Sequence, residues 1–162
     1  MNDKIEVFDN YLDLDNFSKI KQLPFILGWS FIDHKVFPLD GDYQFIHTFY
    51  DNGQPLHKSY ELLTPLINKM QMKAIVRIKA NLTLKAEKIK QYKMHQDEVN
   101  CLNDQKTAIY YLNTNDGKTV FENGKEINSK ENRLVVFSGK LFHTGTTHTD
   151  TLYRSVINFN YY

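Results

Sequence analysis

The sequence predicts a mainly β (α+β) fold, a double-sheet jelly roll backed by N-terminal helices. Strand signals dominate everything after Ala74, in candidate strands at 74–84, 92–98, 105–113, 118–122, 132–138 and 152–161. Turn sequences separate several of them: Asn-Asp-Gly at 115–117, Glu-Asn-Gly at 122–124 and Ser-Gly at 138–139. Ahead of them stands one strong helical pattern over 57–71, where Tyr60, Leu63, Ile67 and Met70 form a single apolar stripe. Many short strands behind one backing helix fit two packed sheets with helices on one side.

The N-terminal third is mixed. Lys4 to Val7 alternates charged and apolar residues, as a short strand does. Asp15 is placed to cap a helix over Phe17–Leu23, ended by Pro24. Phe25–Phe37 reads as extended chain, and Tyr43–Tyr50 as a strand followed by the Asp51-Asn52-Gly53 turn. Pro65 interrupts the 57–71 pattern, either kinking that helix or starting a second one.

A chain of 162 residues suits one domain, and 14% aromatic residues supply large side chains for its core. Without repeats, low-complexity tracts or a Pro/Gly-rich linker, residues 1–162 are expected to form a single domain. In it, 1–73 would pack on a barrel made by 74–162. Charge is balanced, 20 Lys+Arg against 19 Asp+Glu, so no global field favours nucleic acid or an anionic membrane. The only cysteine, Cys101, can form no internal disulfide and reads as an ordinary free thiol of a reducing compartment. The segment MNDKIEVFDN lacks an apolar h-region, and no run of about 18 apolar residues occurs. A cytoplasmic location follows as the expectation, that of a phage-infected host included.

The chemistry is expected to lie in three residues. His95 and Asp97 are two apart, which on a strand puts both side chains on one face. His143 follows 46 residues after Asp97, close to a turn. Two imidazoles and one carboxylate on one side of a metal make the facial triad of non-haem Fe(II) oxygenases, which leaves positions open for O₂ and a chelating cosubstrate. His-x-Asp is common by chance, and ordinary surface or core histidines are the alternative. Arg154, eleven residues after His143, changes the balance. Its guanidinium is a planar, permanently charged fork that suits a carboxylate, and a 2-oxo acid chelated to iron needs such a partner at its far end. A surface ion pair is the alternative for Arg154.

The last strand divides cleanly. Arg154, Val156, Asn158 and Asn160 share one mostly polar face, and Ser155, Ile157, Phe159 and Tyr161 share the other. A polar pocket inside a barrel and a helix packed outside would produce that split. On the 105–113 strand, Thr107, Ile109 and Tyr111 share a face. The Tyr111 phenol either donates to the carboxylate held by Arg154 or packs in the core.

The segments RIKANL (77–82), HQD (95–97), TAIYYLNTNDGKTVFENG (107–124), NRLVVFSGKLFHTG (132–145) and RSVINFNYY (154–162) occur in the order found in a known family. The region from about 74 to 162 resembles the 2-oxoglutarate/Fe(II) oxygenases, in particular the prolyl-4-hydroxylase-like branch and its small phage-encoded members. The resemblance implies a double-stranded β-helix fold. It implies Fe(II) ligation by His95, Asp97 and His143, with Arg154 and Tyr111 on the distal carboxylate of 2-oxoglutarate. A second cosubstrate tyrosine of the family is replaced here by Thr83, and Asn81 on the same face is expected to contribute instead. The implied activity is hydroxylation of an unactivated C–H bond with O₂ and 2-oxoglutarate, releasing succinate and CO₂. The first expectation for the substrate is a peptidyl group such as proline, with small molecules and nucleobases open. No membrane or nucleic-acid partner is expected.

The substrate would enter between loops 28–56, 85–93 and 98–105. Trp29, Phe31, Phe45 and Tyr50 are candidate apolar contacts, or core residues. Lys85, Lys88, Lys90 and Lys93 form a basic stretch that attracts an anionic substrate or is simply a solvated loop. Two other classes stay in view: a cupin-like metalloenzyme that does not use 2-oxoglutarate, and a non-catalytic jelly-roll interaction module.

Overall fold

The computed structural model describes residues 4–97 and 105–162; Cys101 and the expected mouth loop 98–105, save its last residue, lie outside them. The strands are β1 (Glu6–Phe8), β2 (Ser30–Ile32), β3 (Gln44–Asp51), β4 (Gln54–Pro55), β5 (Ile75–Leu84), β6 (Lys106–Tyr111), β7 (Lys118–Phe121), β8 (Glu126–Asn128), β9 (Arg133–Ser138), β10 (His143–Gly145) and β11 (Tyr153–Tyr161). The helices are α1 (Leu14–Ile20), α2 (Leu23–Ile26) and α3 (Thr64–Met70), the last preceded by a 3₁₀ turn over Lys58–Leu63.

Eight strands form the larger sheet in the order β1-β9-β6-β11-β5-β3-β2, with β4 paired to β3. β10-β7-β8 form the smaller sheet. All pairings are antiparallel, giving the mainly β jelly roll that the turn spacing predicts. β1, β2 and β3 come from the N-terminal segment, so that segment extends the larger sheet at both edges as well as covering it.

Local chemistry explains where elements start. Asp13, not Asp15, caps α1: its Oδ1 accepts from the Asn16 N–H at 2.9 Å. Asp15 lies in the first turn, where a negative charge complements the helix dipole. Pro24 does not end α1 but sits in the first turn of α2, where no backbone N–H is needed. Pro65 likewise opens α3, so the 57–71 pattern divides into a 3₁₀ turn and a helix. Over 92–97, the described part of the expected 92–98 strand, no ladder forms. Only Gln91↔Thr146 and His95↔His143 pair, as single bridges. Tyr92 donates its N–H to Gly145 O and His95 donates to His143 O, so Lys93 and Met94 fall between successive bonds to the same strand.

The larger sheet separates two cores. Ile157, Phe159 and Tyr161 of β11 turn outward and pack with Ile78, Ala80, Tyr110 and Leu134 under Phe17, Ile20, Leu23, Leu63 and Leu66 from the helical layer. Each fully buried side chain of this size contributes about 1.5–3 kcal/mol. Tyr111, Val135, Val156 and Ile109 turn inward against Phe121 and Ile127 of the smaller sheet. At the seam Asn132 joins the N-terminal segment to the barrel. Its side chain accepts from Leu12 N–H at 2.8 Å and Tyr110 Oη–H at 2.7 Å, and donates to Leu12 O at 2.8 Å. Among the described residues no helix is long and apolar enough to cross a membrane.

Candidate metal centre and its pocket

His95 reaches the site from the extended segment after β5, and His143 opens β10. Each N–H donates to the other's carbonyl at 3.0 Å, and the ring centroids lie 4.8 Å apart. The His143 Nδ1 sits 3.1 Å from Leu141 O and the His95 Nδ1 3.3 Å from Lys93 O. A ring that donates from Nδ1 to a carbonyl keeps a bare lone pair on Nε2, the form a metal requires. His95 Nε2 lies 3.8 Å from Asp97 Oδ1, and His143 Nε2 lies 3.8 Å from Asp97 Oδ2. Those distances are too long for hydrogen bonds. They are a few tenths of an ångström wider than the roughly 3.0–3.4 Å between neighbouring ligands about 2.1 Å from one ion, a gap that small side-chain rotations close. The three donor atoms all fall within 4.8 Å of one another.

The Asp97 side chain is 8% exposed and is aimed by Asn160, whose Nδ2 donates to Asp97 Oδ2 and to Thr107 Oγ1, each at 3.1 Å. Arg77 Nη2 fixes that amide by donating to Asn160 Oδ1 at 3.2 Å. Burial opposes ionisation of Asp97. His143, His95, Arg77 and the Asn160 amide outweigh it and hold the carboxyl below its ordinary range. Burial, reinforced by neighbouring His143, lowers the His95 imidazole and so favours its neutral form. One carboxylate and two imidazoles fit Fe(II) by donor chemistry, and their open side faces a pocket.

The pocket runs from these histidines into the space between the two sheets. Arg154 lies along it, 6% exposed. Its Nε donates to Ser129 Oγ at 2.9 Å and its Nη2 lies 3.5 Å from Thr119 Oγ1. Thr119 Oγ1 is also 2.6 Å from the Tyr111 hydroxyl. No carboxylate among the described residues pairs with Arg154, so a buried full charge faces the pocket without a counter-ion. The side chain has this path because residue 117 is glycine. A Cβ there would lie 2.9 Å from Arg154 Cδ and 2.8 Å from Asn115 Oδ1.

The structure therefore brings His95, Asp97 and His143 together, and gathers Arg154 and Tyr111 around Thr119. Asn81 and Thr83 both line the pocket, with Asn81 Oδ1 and Thr83 Oγ1 buried and unpartnered. The aromatic candidates fall elsewhere. Trp29 and Tyr50 pack against the helical core, and Phe45 pairs with Leu82 on the sheet face carrying Ala80, with Phe31 opposite it. The residues of β3 on the pocket face are Ile46, opposite Asn81, and Thr48, opposite Lys79. Of the basic stretch, Lys90 pairs with Asp42 at 2.7 Å. His47 is satisfied by Gly28 O and Ser59 Oγ at 2.8 and 2.9 Å. Asn160, Thr119 and Ser129 were not singled out by the sequence. Asn160 carried the one available signal, an amide on the polar face of the last strand.

No family model and no curated protein matches the chain in sequence. Solved structures do match in shape. An oxidoreductase of the 2OG-Fe(II) oxygenase family from Burkholderia pseudomallei superposes with a TM-score of 0.75 at 14% identity, over 97% of this chain and 84% of that one. A Trichoplax adhaerens prolyl hydroxylase in complex with a hypoxia-inducible-factor peptide fragment gives 0.69 at 13% identity, over 98% and 84%. HygX from Streptomyces hygroscopicus, with nickel and 2-oxoglutarate bound, gives 0.63 at 10% identity, over 97% and 82%. On this likeness the chain has the double-stranded β-helix fold of the 2-oxoglutarate/Fe(II) oxygenases.

Proposed function

We propose that this protein is an Fe(II)- and 2-oxoglutarate-dependent oxygenase that hydroxylates an unactivated C–H bond. The observation that carries the reading is the buried, unpaired Arg154 in the pocket that opens on His95, Asp97 and His143. A metal triad alone would serve many reactions. A triad facing a buried guanidinium serves a ligand that is a chelator at one end and a carboxylate at the other.

His95, Asp97 and His143 would hold the iron, which supplies the oxidising chemistry with 2-oxoglutarate and O₂ and releases succinate and CO₂. Asn160 keeps the Asp97 carboxylate turned toward the two Nε2 atoms. Arg154 binds the distal carboxylate, and Tyr111 reaches the same group by rotating its hydroxyl from Thr119. Asn81 and Thr83 offer further polar atoms along the cosubstrate. The apolar walls at Ile109 and Val156 exclude water from the space between these ends. The substrate we favour is a peptide or small molecule entering at the open end beside His95, a peptidyl proline being the first to try because one structural neighbour was solved with a peptide.

The test is aerobic incubation with added Fe(II) and 2-oxoglutarate, reading succinate, beside calorimetry of 2-oxoglutarate on the Mn(II)-loaded protein. Binding of 2-oxoglutarate together with succinate formation is expected. Folded, metal-loaded protein that neither binds 2-oxoglutarate nor forms succinate would overturn the reading.

A further inference from the structure

Lys35 lies in the segment joining β2 to β3, and its backbone is fixed. The Asp40 carboxylate accepts N–H bonds from Lys35, Val36, Phe37 and Asp42, between 2.7 and 3.2 Å. Gln44 Nε2 donates to Lys35 O at 3.1 Å. A short turn knotted this way aims its side chains without help from a helix or ladder. The Lys90–Asp42 ion pair ties the turn to the segment leading to His95.

From that turn the Lys35 side chain enters the pocket that Arg154 lines. Its Nζ lies 4.2 Å from the Tyr92 ring centroid. Tyr92 and Arg154 in turn meet across Gly145. A Cβ on that glycine would sit 3.9 Å from Tyr92 Cδ2 and 3.6 Å from Arg154 Nη1. The ammonium and the guanidinium thus occupy adjoining walls of one cavity. Neither has a carboxylate at pairing distance among the described residues, since Asp42 is engaged by Lys90 and Asp40 by backbone amides. Like charges that share a partly buried cavity repel, and a counter-ion between them removes both that repulsion and the desolvation cost. Arg154 cannot saturate a carboxylate alone. Its Nε is committed to Ser129, while a carboxylate offers about four lone-pair sites.

We propose that Lys35 is a second binding residue for the distal carboxylate of 2-oxoglutarate, which is held between Arg154 on β11 and Lys35 on the turn opposite. This rests on the oxygenase reading and adds to it a ligand from outside the barrel strands. Cosubstrate would then also tie the 33–42 turn to β11 beside the open end of the pocket. Burial, then the charge of Arg154, brings Lys35 down to about 7 before the anion arrives. The charged groups acting on it are Arg154 on β11, Lys79 on β5, and Asp42 and Asp40 on its own turn.

The experiment is calorimetry on the full chain saturated with Mn(II), comparing 2-oxoglutarate with 2-oxopentanoate, which lacks the distal carboxylate. Lys35→Met is expected to weaken 2-oxoglutarate about tenfold at about pH 6 and to leave 2-oxopentanoate unchanged. Wild-type affinity for 2-oxoglutarate is expected to fall between about pH 6 and about pH 8.5, a fall that Lys35→Met loses and Lys35→Arg, charged throughout, also loses while keeping affinity. Lys35→Gln provides the same loss of charge should the methionine variant fold poorly. Wild-type protein that binds 2-oxoglutarate while Lys35→Met and Lys35→Gln bind it equally well would overturn the proposal and leave the oxygenase reading standing. Wild-type protein that binds no 2-oxoglutarate would overturn both.

Discussion

His95 and His143 hold each other by the backbone, each donating its N–H to the other's carbonyl at 3.0 Å. With the Tyr92 N–H bond to Gly145 O, this bridge brings the extended segment ahead of Asp97 against β10. The spacing of the two imidazoles therefore does not depend on a metal. Among the described residues Asp97 has no such bridge, and its orientation there rests on Asn160.

Asn160→Leu removes the amide that aims Asp97 and leaves the three donors in the sequence. Affinity for Mn(II) is expected to drop 10- to 100-fold, roughly the usual cost of losing a partner of a metal ligand. Calorimetric titration against the wild type measures it. An unchanged dissociation constant would show that Asp97 is placed by its backbone alone.

Arg154→Met separates stability from binding. Replacing an unpaired buried charge by an apolar chain of similar length is expected to stabilise the ligand-free protein, by about 1–4 kcal/mol. The same change removes the rise in melting temperature that 2-oxoglutarate gives the metal-loaded protein. Thermal melts with and without 2-oxoglutarate read both effects. A less stable apo variant would mean that the Ser129 and Thr119 contacts already compensate the guanidinium.

Gly117→Ala tests a close approach. The added methyl would meet Arg154 Cδ at 2.9 Å and Asn115 Oδ1 at 2.8 Å, so the arginine must shift. A loss of about 1–3 kcal/mol in folding stability is expected, as for overpacking elsewhere. Affinity for 2-oxoglutarate should fall with it, while Mn(II) binding stays as in the wild type. Urea unfolding and the two titrations separate these outcomes.

Asp9 gives a pH signature far from the pocket. Its carboxylate accepts from Arg133 Nε at 2.7 Å and Lys130 Nζ at 3.0 Å, and these bonds, Arg133's foremost, pull it from 3.8 to about 2. A group depressed in the folded state stabilises it above its unfolded value and loses that contribution as pH falls through its folded value. Asp9→Asn is therefore expected to cost at most about 1 kcal/mol at neutral pH, because the pair is solvent-screened. The difference from wild type should vanish as the pH falls from about 4 to about 2. Urea midpoints across that range check it.

The sequence shows β11 plainly because its alternation is strict: Ile157, Phe159 and Tyr161 join the helical core, while Arg154, Val156 and Asn158 line the pocket. The grouping of His95, Asp97 and His143 is legible from residue types and motif order rather than from a strand face, since no ladder forms over 92–97. The 92–98 segment was misread because pairing depends on the partner strand, and β10 is only three residues long. For Trp29, Phe31, Phe45 and Tyr50 the sequence leaves mouth contact and core packing both open, because alternation reveals that a strand has two faces but not which one a helix covers; the structure packs Trp29 and Tyr50 on the core. Lys35 gave no local signal at all. Its relation to Arg154 exists only once a turn at 33–42 is folded over a strand more than a hundred residues later.

The two-sided larger sheet assigns folding and chemistry to opposite surfaces of the same strands. Ile78, Ala80, Ile157 and Phe159 serve the apolar layer, while Asn81, Thr83, Arg154 and Asn158, their near neighbours in the chain, serve the pocket. Mutation in alternate positions of β5 and β11 can therefore explore new ligands without eroding the scaffold. Such a division of labour leaves one shape compatible with very different sequences, as the 10–14% identities to similarly shaped oxygenases illustrate.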